Sequence, residues 1–74
     1  MTNKTTKLLQ LAKNIKKTRK ANNLSQNELA EILDISREHL AKIETGKRTI
    51  SLGLLFNLCD ALHTTENEIF DFSK

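Results

Sequence analysis

The segment Leu24–Arg48, LSQNELAEILDISREHLAKIETGKR, most constrains what this chain can fold into. Ser25 and Glu28 stand at the spacing of a capping box, in which each side chain satisfies a backbone N–H of the other at a helix start. Leu29, Ile32 and Leu33 then predict the buried face of that helix, with Ala30 small enough for close helix contact. Asp34-Ile35 makes a turn, and Ser36 caps a further helix over Arg37–Glu44 whose Leu40 and Ile43 face inward. Gly46 stands where a helix ends in a left-handed residue, and two basic residues, Lys47 and Arg48, follow it. The pattern is two short helices joined by a tight turn, and the rest of the chain reads as support for them.

That support is helical as well. Pro is absent, Gly occurs only at Gly46 and Gly53, and no period-two alternation of β-branched residues persists. A first helix is expected from about Thr6 to Ala21. Leu8, Leu11, Ala12, Ile15 and Arg19 share one stripe, and Lys13, Lys16, Lys17 and Lys20 share another. Asn22-Asn23 ends it, since Asn tolerates the left-handed conformation. A fourth helix follows Ser51 and runs to about Leu62 on a stripe of Leu52, Leu55, Leu58, Cys59 and Leu62. Leu54, Phe56 and Ala61 widen the stripe, which predicts burial on most sides. Thr65 and Glu68 form a second capping box, opening a short helix with Ile69, Phe70 and Phe72. Those three large side chains need cover, either by closing the core or by pairing with another copy, and a dimer interface is expected there. The fold class expected is all-α, a compact bundle of four to five helices in one domain over residues 1–74, with residues 1–5 as a flexible basic tail.

A chain of 74 residues supports one small core, so its stability should be modest unless a dimer interface adds to it. Its single cysteine, Cys59, lies in an apolar run and reads as a small buried side chain; no internal disulfide can form. One thiol and no signal peptide point to a reducing, cytoplasmic setting. No apolar run approaches the ~18 residues of a membrane span. The net charge of +3 is unevenly spread, with +7 over residues 1–20, −1 over 21–48 and −3 over 49–74. A basic first third suits a polyanion partner. No His/Asp/Ser set, phosphate-binding glycine loop or metal spacing is present, and His39 and His63 lie near no other ligand set. An enzyme, a metal, a cofactor and a small-molecule ligand are therefore not expected.

With Leu40 and Ile43 inward, Arg37, Glu38, Ala41 and Lys42 point outward together. Arg at the first turn can bond guanine bidentately, and Glu can accept from cytosine N4. Ala41 permits close approach or contact with a thymine methyl, and Lys42 can reach guanine or a phosphate. These are the expected base-reading residues on double-stranded DNA. Ser25, Gln26 and Asn27 sit at the first turn of the preceding helix, where free N–H groups and the positive dipole end favour a phosphate. Ser36, His39, the backbone N–H groups near Gly46, and Lys47, Arg48 and Thr49 complete the expected phosphate contacts, which position but do not read sequence. Arg19 continues an apolar stripe, and Glu44 follows Ile43 at the inner end of its helix. Opposite charges facing one core should pair, locking the first helix to the outward-reading one.

The chain resembles the lambda-repressor-like, Cro/repressor-type helix-turn-helix proteins of the Xre family over residues 12–70. The resemblance rests on I-K-K-T-R (15–19), L-S-Q-N-E-L-A (24–30), I-S (35–36), I-E-T-G-K-R (43–48) and S-L-x-x-L-x-x-L-x-x-A-L (51–62). It implies a small helical bundle, usually dimeric on palindromic operators. It also implies a phosphate contact for Gln26, base reading by Arg37, Glu38 and Lys42, and an interhelical ion pair between Arg19 and Glu44. T-I-S-L (49–52) and E-N-E-I-F (66–70) resemble the small controller proteins of restriction–modification systems. Three positions depart from the family pattern. Asp34 stands where a turn glycine is usual, Pro is missing near Ile50, and Gly is missing near His63. The expected function is a sequence-specific, homodimeric transcriptional regulator. The alternative is an interaction module with a protein partner, such as the antitoxin of a toxin–antitoxin pair, with DNA binding as autoregulation.

Overall fold

Local signals punctuate the chain at both ends of nearly every helix. The computed structural model describes residues 3–73 and contains α1 (Asn3–Ala21), α2 (Gln26–Leu33), α3 (Arg37–Glu44), α4 (Leu52–Ala61) and α5 (Glu66–Ile69). Ser25, Ser36, Ser51 and Thr65 each cap the helix that follows by accepting from its N3 backbone N–H. At Ser25 and Thr65 the reciprocal Glu side chain closes a full capping box. The first helix begins at Asn3 rather than Thr6, so Asn3–Thr5, expected in a tail, are helical. Nothing in that stretch breaks a helix, and each residue added costs little once the helix is nucleated. Met1 and Thr2, the rest of the expected tail, lie outside the described residues.

The helix ends repeat one device. Leu24 N–H donates to Arg19 C=O (3.2 Å) and Asn23 N–H to Lys20 C=O (2.9 Å), with Asn23 left-handed at φ 60°. The same crossed pair of bonds closes α2 around Asp34 (φ 59°), α3 around Gly46 (φ 77°) and α4 around His63 (φ 54°). Glycine is the residue that adopts this conformation without strain, yet it occupies only one of the four positions. The turn between α2 and α3 therefore survives the departure at Asp34. It carries both a backbone cost and a carboxylate at the negative end of a helix.

The core gathers Leu11 and Ile15 from α1, Leu29, Ala30 and Leu33 from α2, and Leu40 and Ile43 from α3. Leu55, Leu58, Cys59, Leu62 and Ile69 complete it from α4 and α5. Some sequence expectations are overturned here. Ile32 is 57% exposed, because Ala30 and Leu33 turn the buried face of α2 away from it. Leu52 (65%) and Phe56 (48%) are exposed on one outer face of α4, which is thus not buried on most sides. The core is one layer deep and covers one face of α4, and α5 has only four residues with which to wrap the other. Ile69, expected at an interface, is 1% exposed within the chain's own core. Phe70 lies exposed and Phe72 half-buried beside it, their rings edge to face with centroids 6.1 Å apart.

Two asparagines tie the C-terminal half back to α1. Asn14 Nδ2 donates to Ile69 C=O (2.8 Å) and Asp71 C=O (3.1 Å), and Asn22 Nδ2 donates to Leu62 C=O (3.1 Å). Cys59 is 1% exposed. Burial pushes its thiol above the usual range, and the neighbouring Glu66 carboxylate pushes the same way. The thiol is therefore a poor nucleophile at neutral pH. Among the described residues, no helix is long and apolar enough to cross a membrane.

The left-handed positions give an expected asymmetry. Asp34→Gly and His63→Gly should each stabilise the fold by roughly 0.5–1 kcal/mol, by relieving the αL cost. Gly46→Ala should destabilise it, because the new Cβ would also meet the Leu9 side chain at 2.8 Å. Urea unfolding of the three variants checks this; a lower midpoint for Asp34→Gly would contradict it.

Candidate nucleic-acid interface

The site is assembled where α1, α2 and α3 meet. Arg19, on the buried stripe of α1, donates from Nε to Glu44 Oε2 (2.7 Å) and from Nη2 to Glu44 Oε1 (3.0 Å). Its remaining nitrogen, Nη1, donates to Leu24 C=O at 2.7 Å, just before the cap of α2. Arg19 is 6% and Glu44 5% exposed, so this is a desolvated, bidentate pair. Gln26 Nε2 donates to the same Oε1 of Glu44 at 3.0 Å. A carboxylate on α3 thus holds a guanidinium from α1 and an amide from the first residue of α2. Among the described residues, no buried side-chain nitrogen or oxygen lacks a hydrogen-bond partner.

The first turn of α2 is fixed by its capping box. Glu28 N–H donates to Ser25 Oγ (3.0 Å), and Glu28 Oε1 accepts from Ser25 N–H (2.8 Å). The bond from the Ser25 backbone, and then that involving its side chain, holds the Glu28 carboxyl below the usual range. That contribution is present at neutral pH and fades as acid protonates the carboxylate. The N–H groups of Gln26 and Asn27 precede the first intrahelical bond, from Leu29 N–H to Ser25 C=O, at the positive end of the helix dipole. Gln26, expected to reach a phosphate, has part of its amide engaged by Glu44. A primary amide carries two N–H donors, so one remains.

On α3, Arg37, Glu38 and Lys42 are exposed and Ala41 is half-buried, so the expected reading residues share the outer face. Ser36 Oγ accepts from His39 N–H (3.0 Å), which engages that cap inside the helix, and His39 is half-buried at the edge of the face. Ser25 and Asn27 are exposed at the start of α2, and Lys47, Arg48 and Thr49 are exposed beyond α3. One expectation fails here. The loop's backbone donors are not free, since Gly46 N–H donates to Ile43 C=O (3.2 Å) and Lys47 and Arg48 N–H to Lys42 C=O (2.9 and 3.3 Å). Closing the C-terminus of α3 consumes them, so the loop offers the side chains of Lys47 and Arg48 and no backbone donor from Gly46.

Three contacts were missed by sequence reasoning. Gln26 on Glu44 had no local mark, because the bond from Arg19 to Leu24 C=O that draws the start of α2 to Glu44 exists only in the folded chain. Thr45 Oγ1 donates back to Ala41 C=O (3.0 Å), a common habit of Thr after a helix. Leu9 rests on Gly46 although it is 48% exposed, and only the folded chain brings these two together. The surface as a whole is an exposed helix face accompanied by cations and by a helix N-terminus. Among the described residues, no group of His, Cys, Asp and Glu could hold a metal ion.

Over residues 15–69 the chain matches the family described as helix-turn-helix. It is 40% identical over 55 residues to Control protein C.SmaI of Serratia marcescens, an overlap of 74% of this chain and 66% of that protein. It is 36% identical over 64 residues to Antitoxin PezA of Streptococcus pneumoniae, 86% of this chain and 40% of that one. The chain thus spans just under two thirds of the first relative and two fifths of the second. Its fold is similar to that of the restriction-modification controller protein C.AhdI from Aeromonas hydrophila, with a TM-score of 0.79 at 29% identity over 84% of this chain and 94% of that one.

The buried pair yields an expected contrast. Glu44→Ala leaves the Arg19 guanidinium desolvated and unpaired, which should cost about 3–5 kcal/mol. Glu31→Ala, at an exposed position of α2, should change stability by less than about 0.5 kcal/mol. Equal thermal midpoints for the two variants would contradict the role given to the pair.

Proposed function

The chain belongs to the helix-turn-helix family, and on that premise we propose that it is a sequence-specific regulator of transcription that binds double-stranded DNA as a homodimer. The observation that carries this reading is the α2–α3 unit. Arg37, Glu38, Ala41 and Lys42 share one outward face, and both the N-terminus of α2, bonded through Gln26 to Glu44, and Lys47-Arg48 lie by the C-terminal end of α3. In this reading α3 enters the major groove. Arg37 and Lys42 donate to guanine, Glu38 accepts from cytosine, and Ala41 lets the helix approach closely. The second N–H of the Gln26 amide, the start of α2, and Lys47 and Arg48 hold flanking phosphates. The protein supplies recognition and no chemical step, and it works in the cytoplasm with Cys59 reduced.

The homodimer is supported by apolar surface left over after the core is filled. Leu52 and Phe56 share one face of α4, and Phe70 and Phe72 lie on the C-terminal segment. Two copies joined there would read half-sites about one helical turn, ~34 Å, apart on a palindrome. The similarity to Control protein C.SmaI and to the restriction-modification controller protein C.AhdI favours regulation of that kind. A second reading, a protein-interaction module of antitoxin type, is favoured by the likeness to Antitoxin PezA and uses the same apolar surface for a foreign partner.

Selection of binding sites from a random duplex library tests the main reading, with the wild type beside Arg37→Ala/Lys42→Ala. A palindrome should be enriched by the wild type and lost in the variant. No enrichment by a folded, dimeric wild type would contradict it. Function that persists in Arg37→Ala but is abolished in Phe70→Asp would favour the second reading.

A further inference from the structure

The lysines of α1 are not used by the α2–α3 unit, and the fold gives some of them a definite place. The Leu9 side chain lies against Gly46, close enough that a Cβ there would meet it at 2.8 Å. That contact fixes which face of α1 adjoins the loop carrying Lys47 and Arg48. Lys13, Lys16 and Lys20 follow Leu9 at spacings of four, seven and eleven residues, which keep side chains within about 40° of one helical line. All three are exposed. At its far end this line runs beside Arg19, which is bonded to Glu44 and to Leu24 just ahead of the α2 cap. The stripe thus extends from the α3–α4 loop towards the start of α2, both of which lie by the C-terminal end of α3. Lys4 and Lys7 project about 140–160° away from Leu9 at ~100° per residue. They lie outside the open groove that Lys13, Lys16 and Lys20 line on their other flank with Asn14, Glu68 and Asp71.

We infer that Lys13, Lys16 and Lys20 form a phosphate track on α1, continuous with Lys47 and Arg48, that extends the protein's grip on the DNA backbone beyond the helix-turn-helix. The occupant is duplex DNA because the stripe's charge complements it and its line continues the surface that already faces it. The inference rests on the DNA-binding reading above. Side chains of this kind meet phosphates as point charges, so the track adds affinity and salt dependence and no sequence preference.

The test measures the affinity of the full chain for a short random-sequence duplex across a salt series. Four proteins are compared: wild type, Lys16→Gln/Lys20→Gln, Lys47→Gln/Arg48→Gln, and Lys4→Gln/Lys7→Gln as a control that removes the same charge from the other face. Circular dichroism and urea unfolding confirm that each is folded. The slope of log K against log salt should become shallower by about 0.9 for each phosphate no longer neutralised, so by nearly 2 per bound chain for Lys16→Gln/Lys20→Gln. Lys47→Gln/Arg48→Gln should become shallower by a similar amount, and the control by far less. A track variant that matches the control while Lys47→Gln/Arg48→Gln is shallow would overturn this inference alone. A wild type with no salt-dependent binding would overturn the DNA-binding reading, and the track with it.

Discussion

The carboxylate of Glu44 joins three helices, and the geometry of the outward surface depends on it. Arg19 brings α1 to it with a two-pronged bond, and Gln26 brings the first residue of α2. Removing two charges from water is expensive, and a well-packed apolar pair often stabilises a fold as well or better. The value of this arrangement lies in direction. Apolar contacts tolerate sliding, whereas a guanidinium fork and an amide on one carboxylate accept few relative positions of α1, α2 and α3. The first turn of α2 and the face of α3 are thereby held in a fixed relation, as the proposed fit of both to one duplex requires.

Around that junction the helices are short and their ends matter. Helices of eight residues do not persist alone, so each is closed by a side-chain cap at the start and crossed backbone bonds at the finish. These closures also decide what is left for a ligand. The C-terminus of α3 uses its loop N–H groups internally, which leaves binding there to side chains. The start of α2 keeps donors that its own cap does not reach. A single-layer core has a parallel consequence, for it leaves Leu52, Phe56 and Phe70 outside. That surplus is the surface the proposed homodimer would use.

Much of this was legible in the sequence because the signals are local. Capping boxes at Ser25 and Thr65, Ser at the other caps, and Gly46 or Asn23 at helix ends are written within a few residues. Arg19 could be matched to Glu44 because each is a charge on an apolar stripe. What stayed hidden depends on how helices rotate against one another. On α2 and α4 the apolar residues exceed what one face can bury. Periodicity alone could not say that Ile32, Leu52 and Phe56 would be the ones left out. Ile69 and the phenylalanines looked alike as a cluster, and only the docking of α5 on α1 and α4 separates the buried one. The Leu9–Gly46 contact joins residues far apart in sequence and had no local mark.

Replacing the charged pair with apolar residues separates its two roles. In an Arg19→Met/Glu44→Leu protein the ions are gone together, so no uncompensated charge stays buried. If the fork directs the surface, this protein should unfold near the wild-type midpoint, with each single variant about 3–5 kcal/mol less stable. It should nevertheless bind the duplex that the wild type selects at least tenfold more weakly, because Gln26 no longer has its anchor. A double variant that is stably folded and binds that duplex as tightly as the wild type would contradict the central claim.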